Sequence, residues 1–417
     1  MSVTRNIFEP RLFGEPFTRP MEPIMAPDGS GFTESINFKD IALFAMIAGG
    51  AKGYSSSADI LGQTTDGRDL NEIWDEFQAT LEILQAKRSS IVNMLTYPVV
   101  NNIEDVPSFG GDEFEESSEY GIPKSIRPTG DLYQMGYTFK WYDIATRFTW
   151  RFLSDAAASQ VEAIHQGVID ADSRLVFKEI MRTLFRNTNR EANIKGQNYT
   201  VYSFWNGDGI APPDYKNNTF SGTHSHFQTT GATAVDSGDL ETAYDDLKSH
   251  GYAAENGTQI VTFVNEAQAN VIRTFKAGQT TNGVVARWDF IPAINQPAFI
   301  VPTQQGVIGG QPAATWNGFN VVGSYGPALI IEESYIPAGY MVTLGSGGEA
   351  NLQNPIGFRE HANPGLRGLR LVQDKQQTYP LIDSTYVRGF GTGVRQRGAA
   401  FVQQLATGSY APPSQYV

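Results

Sequence analysis

Cysteine is absent from the 417 residues, which excludes a disulfide framework, a thiolate metal site and a thiol nucleophile. Long apolar runs are absent too. The longest, Ile41 to Ala48, falls far short of the ~20 residues a bilayer requires. Met1 to Pro20 has no apolar core of a secretory signal. Positive charge is in deficit, with 31 lysines and arginines against 44 acids. A net charge of −13 argues against a sequence-general nucleic-acid binder, whose affinity comes from cations on phosphates. Charge of either sign is scarce at 18% of residues, so much of the surface must be neutral polar or covered by contacts. No repeat of fixed period occurs, and no G-x-x-x-x-G-K-[ST], G-x-S-x-G or H-E-x-x-H motif.

Little chemistry remains after these exclusions. His224-Ser-His226 offers two imidazoles. His165, His250 and His361 lie far away in sequence and no carboxylate pattern accompanies the pair, so it reads as an exposed loop with two histidines. Gly389-Phe-Gly391-Thr-Gly393 neither follows a clear strand nor opens a helix, and reads as a bend in a strand. Asp170 and Asp172 are two apart on a helix and face different directions. The acids Asp112, Glu113, Glu115, Glu116 and Glu119 read as a solvated loop. The expectation is no enzyme, no cofactor, and no catalytic or metal residues.

What is present is organised around Ser154 to Asn187, which reads as one unbroken helix about 50 Å long at 1.5 Å per residue. Ser154 is its expected N-cap, with a second start signal at Ser159-x-x-Glu162. Val161, Ile164, Val168, Ala171 and Leu175 form one stripe, which widens through Val176, Phe177, Ile180, Met181, Leu184 and Phe185. In front of it the chain alternates. Tyr137, Phe139 and Trp141 share one face of a predicted strand, Phe148, Trp150 and Phe152 a face of a second, and Tyr142 to Ala145 form the turn between them. A two-stranded ribbon is marginal alone in water, so these aromatics are expected to find partners outside it.

Residues 1–35 carry Pro10, Pro16, Pro20, Pro23 and Pro27, which forbid helix and central strand. Phe8, Leu12, Phe13, Phe17 and Met21 are too apolar for a solvated tail, so the segment reads as an extended arm lying on another surface. Glu72 to Lys87 is a predicted amphipathic helix and Ile91 to Val100 a predicted strand. Asn187 to Val235 reads as a long surface excursion. An αβα unit follows, with a helix ending at Gly251, a strand at Gln259–Val264 and a helix capped by Asn265. Further strands are expected at Ala298–Val301, Phe319–Val322, Ala328–Glu332, Tyr340–Leu344 and Gly393–Leu405. From Gly357 on, Arg359, Arg367, Arg370, Lys375, Arg388, Arg395 and Arg397 make the locally basic part of an acidic chain.

This order of parts resembles the major capsid protein of tailed bacteriophages, the Hong Kong 97 fold. Gly318-Phe-Asn-Val-Val322 through Ile336-Pro-Ala-Gly-Tyr340 is similar to the family's G-x-P-V-V … P-x-G passage, with Asn320 where proline is usual. Gly391-x-Gly393-Val-Arg-x-Arg397-Gly-Ala-Ala400 is similar to its closing strand. The resemblance implies an α+β fold with an extended N-arm, an E-loop β-hairpin, a P domain with a long spine helix, and an α/β A domain. Mapped onto the chain, 1–117 is the N-terminal arm with short helices and 118–152 the E-loop. Residues 153–199 hold the spine helix, 200–345 the axial A domain and 346–417 the P-domain return strands.

The resemblance further implies self-assembly through pentamers and hexamers into an icosahedral shell in the host cytoplasm, enclosing double-stranded DNA without sequence-specific binding. Intersubunit contacts would come from Tyr137, Phe139, Trp141, Phe148 and Trp150 of the ribbon and Phe8, Phe13 and Phe17 of the arm. The implied partners are a portal protein, a separate scaffolding protein and a decoration protein, and no membrane. The ribbon offers Lys124 and Lys140, but no asparagine partner matches, so covalent crosslinking is not carried over. The basic C-terminal segment would face the DNA or an intersubunit contact. The alternatives are an encapsulin compartment shell, whose members tend to be shorter and to start with a cargo-docking helix, and a soluble multidomain hydrolase.

Overall fold

The computed structural model describes residues 64–69, 90–107, 132–194, 196–294, 311–373 and 381–417, together with 116, 117, 119–121 and part of 72–81. The expected arm with Phe8, Phe13 and Phe17, the strand at Ala298–Val301 and most of the acidic run lie outside the described residues.

The described helices are α1 (Ser90–Leu95), α2 (Trp150–Asp155), α3 (Ala158–Phe185), α4 (Ser237–Ser249) and α5 (Glu266–Ile272). The strands begin with β1 (Thr96–Val99), β2 (Ile103–Pro107), β3 (Leu132–Gly136), β4 (Lys140–Thr149), β5 (Arg190–Ile194), β6 (Gln197–Val201) and β7 (Phe227–Thr229). They continue with β8 (Gln259–Val264), β9 (Thr280–Thr281), β10 (Val284–Val285), β11 (Phe290–Pro292), β12 (Thr315–Trp316), β13 (Phe319–Tyr325) and β14 (Ala328–Glu332). The last are β15 (Tyr340–Ser346), β16 (Ile356–Glu360), β17 (Leu369–Gln373), β18 (Leu381–Gly393) and β19 (Ala400–Gln404).

The chain divides into two compact units. The smaller holds residues up to Leu84, Asp143–Asp170 and Leu371–Val387. Its core is Ile73, Phe77, Phe148, Ala158 and Val161, with Phe152 and Leu371 packed against them. Ile73, Phe77 and Leu81 are buried helical residues at steps of four, as the amphipathic pattern predicts. The helix expected to run unbroken from Ser154 is in fact two. Thr149, not Ser154, caps α2 by accepting from the Phe152 amide. Ala156 then turns extended at ψ 142°, ending α2. A fresh start at Ala158 is capped from outside the helix, because both carboxylate oxygens of Asp66 accept its amide at 3.0 and 3.1 Å. A distant acid supplies a cap that local sequence does not show.

The larger unit holds Gln85–Tyr142, Ala171–Arg370 and Arg388–Val417. Its main sheet has eight strands in the order β11-β13-β14-β8-β15-β19-β7, with β12 also on β13. β8 lies parallel to β14 and antiparallel to β15, and β7 is an edge strand parallel to β19. A near-continuous apolar run, Ile260–Val264, suits a strand covered on both faces. One face receives Val176, Ile180, Met181, Leu184 and Phe185 from the second half of α3. α4 packs Ala243 and Leu247 on Ile260, Ala328 and Phe401, and α5 packs Ala269 and Ile272 with Val264 and Ile330.

Several expectations are corrected here. Ile91–Val100 is not one strand but α1 followed by β1, which pairs parallel with β16. Gly393–Leu405 is not one strand either: β18 ends at Gly393, a turn follows, and β19 starts at Ala400. The excursion from Asn187 is not all surface, since Val201, Phe204 and Trp205 are buried. It opens with the β5–β6 hairpin, turned at Gly196 with φ +85°.

The expected ribbon also differs. β4 is continuous through Tyr142–Ala145, where a turn was expected, and it pairs with β18. Trp150 opens α2 instead of lying on a strand. The antiparallel ribbon ahead of α3 is β2 with β3, in register from Ile103↔Gly136 to Pro107↔Leu132.

Candidate assembly surface

The stretch Tyr137–Trp141 follows β3, and its placement depends on β18. Gly389, Gly391 and Gly393 alternate along β18 and so share one face. A Cβ on Gly391 would stand 1.6 Å from the Thr138 carbonyl oxygen, one on Gly393 2.5 Å from the Tyr137 ring, and one on Gly389 2.6 Å from the Trp141 indole. The glycine run is thus not a bend but a bare strip on which another backbone lies directly. Thr138 and Thr392 lock the two together: the Thr138 amide donates to the Thr392 carbonyl at 3.0 Å, and the Thr392 amide donates to Thr138 Oγ1 at 3.0 Å.

This docking fixes where each aromatic goes. Tyr137 is fully buried, its hydroxyl 2.9 Å from that of Tyr97, and burial pushes its phenol pKa well up. Phe148 is buried in the core of the smaller unit. Both rings are covered by their own chain. Phe139 is half-buried beneath the Arg359 guanidinium, 4.8 Å from the ring centre. Trp141 remains 52% exposed, with Phe139 edge-on at 5.4 Å and His361 at 5.9 Å. Burying the rest of the indole would contribute about 2–3 kcal/mol, taking half of a ~200–250 Å² ring at ~25 cal/mol per Å². The side chain of Trp150 lies outside the described residues.

The basic C-terminal segment is largely spent internally. Arg388 pairs with Asp172, Arg395 reaches Glu104 at 3.5 Å, and Arg397 pairs with Asp208 at 2.8 Å. Arg359 donates to the Tyr137 carbonyl at 3.2 Å and to Asn102. Arg367 and Arg370 donate to nearby backbone carbonyls. A broad free cationic face is therefore not what these residues build. Nor are His224 and His226 two exposed loop residues: His226 is wholly buried, and Asp246 and His250 lie beside the pair. Among the described residues no helix is long and apolar enough to cross a membrane.

The arrangement offers packed surfaces and internal pairing. Among solved structures, the chain is similar to one from Mycobacterium phage Patience, at 44% identity and a TM-score of 0.70, covering 88% of this chain and 97% of that one. Two others are the capsid of the native GTA particle (14% identity, TM-score 0.42, covering 77% of this chain and 91% of that one) and the mature capsid of bacteriophage PhiM1 (11%, 0.45, 75% and 86%). No family model matches the chain and no curated protein does. The α+β fold and the strong likeness to a phage structure mark a structural protein of a virion, not an enzyme. The chain belongs to the major capsid proteins of tailed bacteriophages, the Hong Kong 97 type.

Proposed function

We propose that the chain forms pentamers and hexamers that close into an icosahedral shell around double-stranded DNA, assembled in the host cytoplasm. The observation that supports this most is the 44% identity maintained over 97% of a phage structure. The encapsulin alternative has less support. A portal protein, a separate scaffolding protein and a decoration protein are the expected partners, and DNA is held without base recognition, consistent with a net charge of −13.

Within that reading, the β2–β3 ribbon takes the part of the E-loop. α3 takes the part of the spine helix, and the eight-stranded sheet with α4 and α5 that of the axial domain. Of the aromatics expected at subunit contacts whose side chains are described, Trp141 with Phe139 is the group left open to a neighbour. The test is to express the chain with its neighbouring gene products, separate the material by size and image the void fraction by electron microscopy. Angular closed shells, or rings of five and six, are the expected result. A monomer that never assembles with those partners would contradict it.

A further inference from the structure

His224, His226, Asp246 and His250 come from two separate segments and meet at one point. His224 and His226 flank Ser225, which bridges Asn206, in the chain leading into β7. Two residues apart in extended chain, they share a face. Asp246 and His250 are four apart at the C-terminal end of α4 and also share a face. Nε2 of His224 lies 3.1 Å from Nε2 of His226 and 2.9 Å from Nε2 of His250. Asp246 places Oδ1 3.5 Å from His224 Nε2 and Oδ2 3.1 Å from His226 Nε2. All four donor atoms lie within 4.8 Å of one another.

Counting protons shows that this group is incomplete. His226 donates from Nδ1 to the Ala400 carbonyl at 2.8 Å, so in the neutral ring Nε2 carries a lone pair aimed at the others. His224 Nε2 is within reach of both other rings but has at most one proton to share between them, and the His226 Nε2 lone pair also faces the Asp246 carboxylate at 3.1 Å. Asp246 Oδ2 is buried and accepts no hydrogen bond. Orphaned buried acceptors of this kind are rare and costly. Phe220 stacks on His250 at 4.1 Å, and Phe401 packs near the wholly buried His226.

We propose that His224, His226, His250 and Asp246 bind one Zn²⁺ ion as a closed structural site. A tetrahedral zinc with bonds of ~2.05 Å sets its ligand atoms about 3.3 Å apart, close to the separations found. Three imidazoles and a carboxylate are borderline donors suited to zinc, and four protein ligands leave no open position for a substrate. The Ala400 carbonyl holds the His226 ring in the ligating tautomer, as outer partners of metal-bound histidines do. The ion fastens the irregular chain ahead of β7, an edge strand, to the end of α4.

The test uses untagged full-length protein purified without chelators. Metal analysis should find about one zinc per chain. After chelator stripping, titration with Co²⁺ alone should give the intense visible absorption of tetrahedral cobalt, saturating near one equivalent. His224→Gln changes a partly accessible ligand, 18% open at its side chain. It should keep the wild-type circular dichroism while metal content falls at least tenfold. Wild-type protein with under about a tenth of an equivalent of any transition metal and no cobalt spectrum would overturn the proposal. So would a His224→Gln variant that binds as wild type.

Discussion

Two buried polar groups tie the same excursion to the rest of the larger unit and are completed differently. Arg397 is 2% exposed at its side chain, yet it donates to the Ser203 carbonyl at 2.9 Å and to Asp208 at 2.8 Å, and its guanidinium lies 4.0 Å from the Trp205 ring centre. Desolvation alone would raise the Asp208 carboxyl, but the Asn189 amide and the Arg397 charge hold it below its ordinary value. Around Asp246, by contrast, the buried Oδ2 receives no hydrogen bond and faces the lone pair of His226 Nε2 at 3.1 Å. One group has a donor for each acceptor. The other has acceptors without donors. The first is a finished structural clasp, and the second has the character of a site whose missing member is a cation.

This contrast can be broken from either side. The largest effect should come from the finished clasp: Arg397→Ala strands Asp208 in a nearly closed place and should cost about 3–5 kcal/mol in denaturant unfolding. An Asp246→Asn change should cost far less in protein stripped of metal than in metal-loaded protein, because it removes a partner only from the latter. Equal losses with and without metal would erase the difference between the two groups.

His165 in the smaller unit sharpens the comparison, being a buried imidazole with one good partner. It stacks on Phe77 at 3.7 Å, and Nδ1 lies 2.8 Å from the Tyr386 hydroxyl. Burial lowers its pKa from 6.5 to about 4. The unfolded chain therefore takes up the proton first. The contribution is complete above pH 6.5 and falls as the pH drops towards 4, by about 3 kcal/mol in all at ~1.4 kcal/mol per pH unit. Thermal melts from pH 7 to pH 4.5 read this slope, and His165→Gln should flatten it.

Gly391→Ala tests the docked stretch. A methyl group there meets the Thr138 carbonyl, and relieving that overlap should cost about 1–3 kcal/mol or more. Trp141→Ala should cost the isolated chain about 1–3 kcal/mol, because the half of the ring already packed on Gly389 and Phe139 is lost. A further effect should appear in assembly, as at least a tenfold rise in the protein concentration needed to form shells.

Strong local signals were legible in the sequence. β8 and β14 fall at the expected residues, and α4 ends at Ser249 with His250 as its cap and Gly251 at φ +88° behind it. Short elements without a full period were not: the β-branched run after Ser90 hides the six-residue helix α1. The ribbon was misplaced because alternation of Tyr137, Phe139 and Trp141 has a cause outside pairing. Bulky residues at period two lie on glycines at period two, and that match of Gly389, Gly391 and Gly393 with the stretch after β3 was available to find. Each half of the histidine cluster was readable, a pair two apart and an Asp–His pair four apart on a predicted helix. Their meeting is set by β7 pairing with β19 and α4 packing on the same sheet, which no spacing records.

The most direct test of the central claim is a high-resolution cryo-electron microscopy map of the assembled particle. The account predicts a closed icosahedral shell in which a neighbouring subunit covers Trp141 and Phe139, while Tyr137 and Phe148 are covered by their own chain. A shell in which Trp141 faces solvent in every copy would contradict the assignment of the contact, and particles not built from this chain would contradict the family role itself.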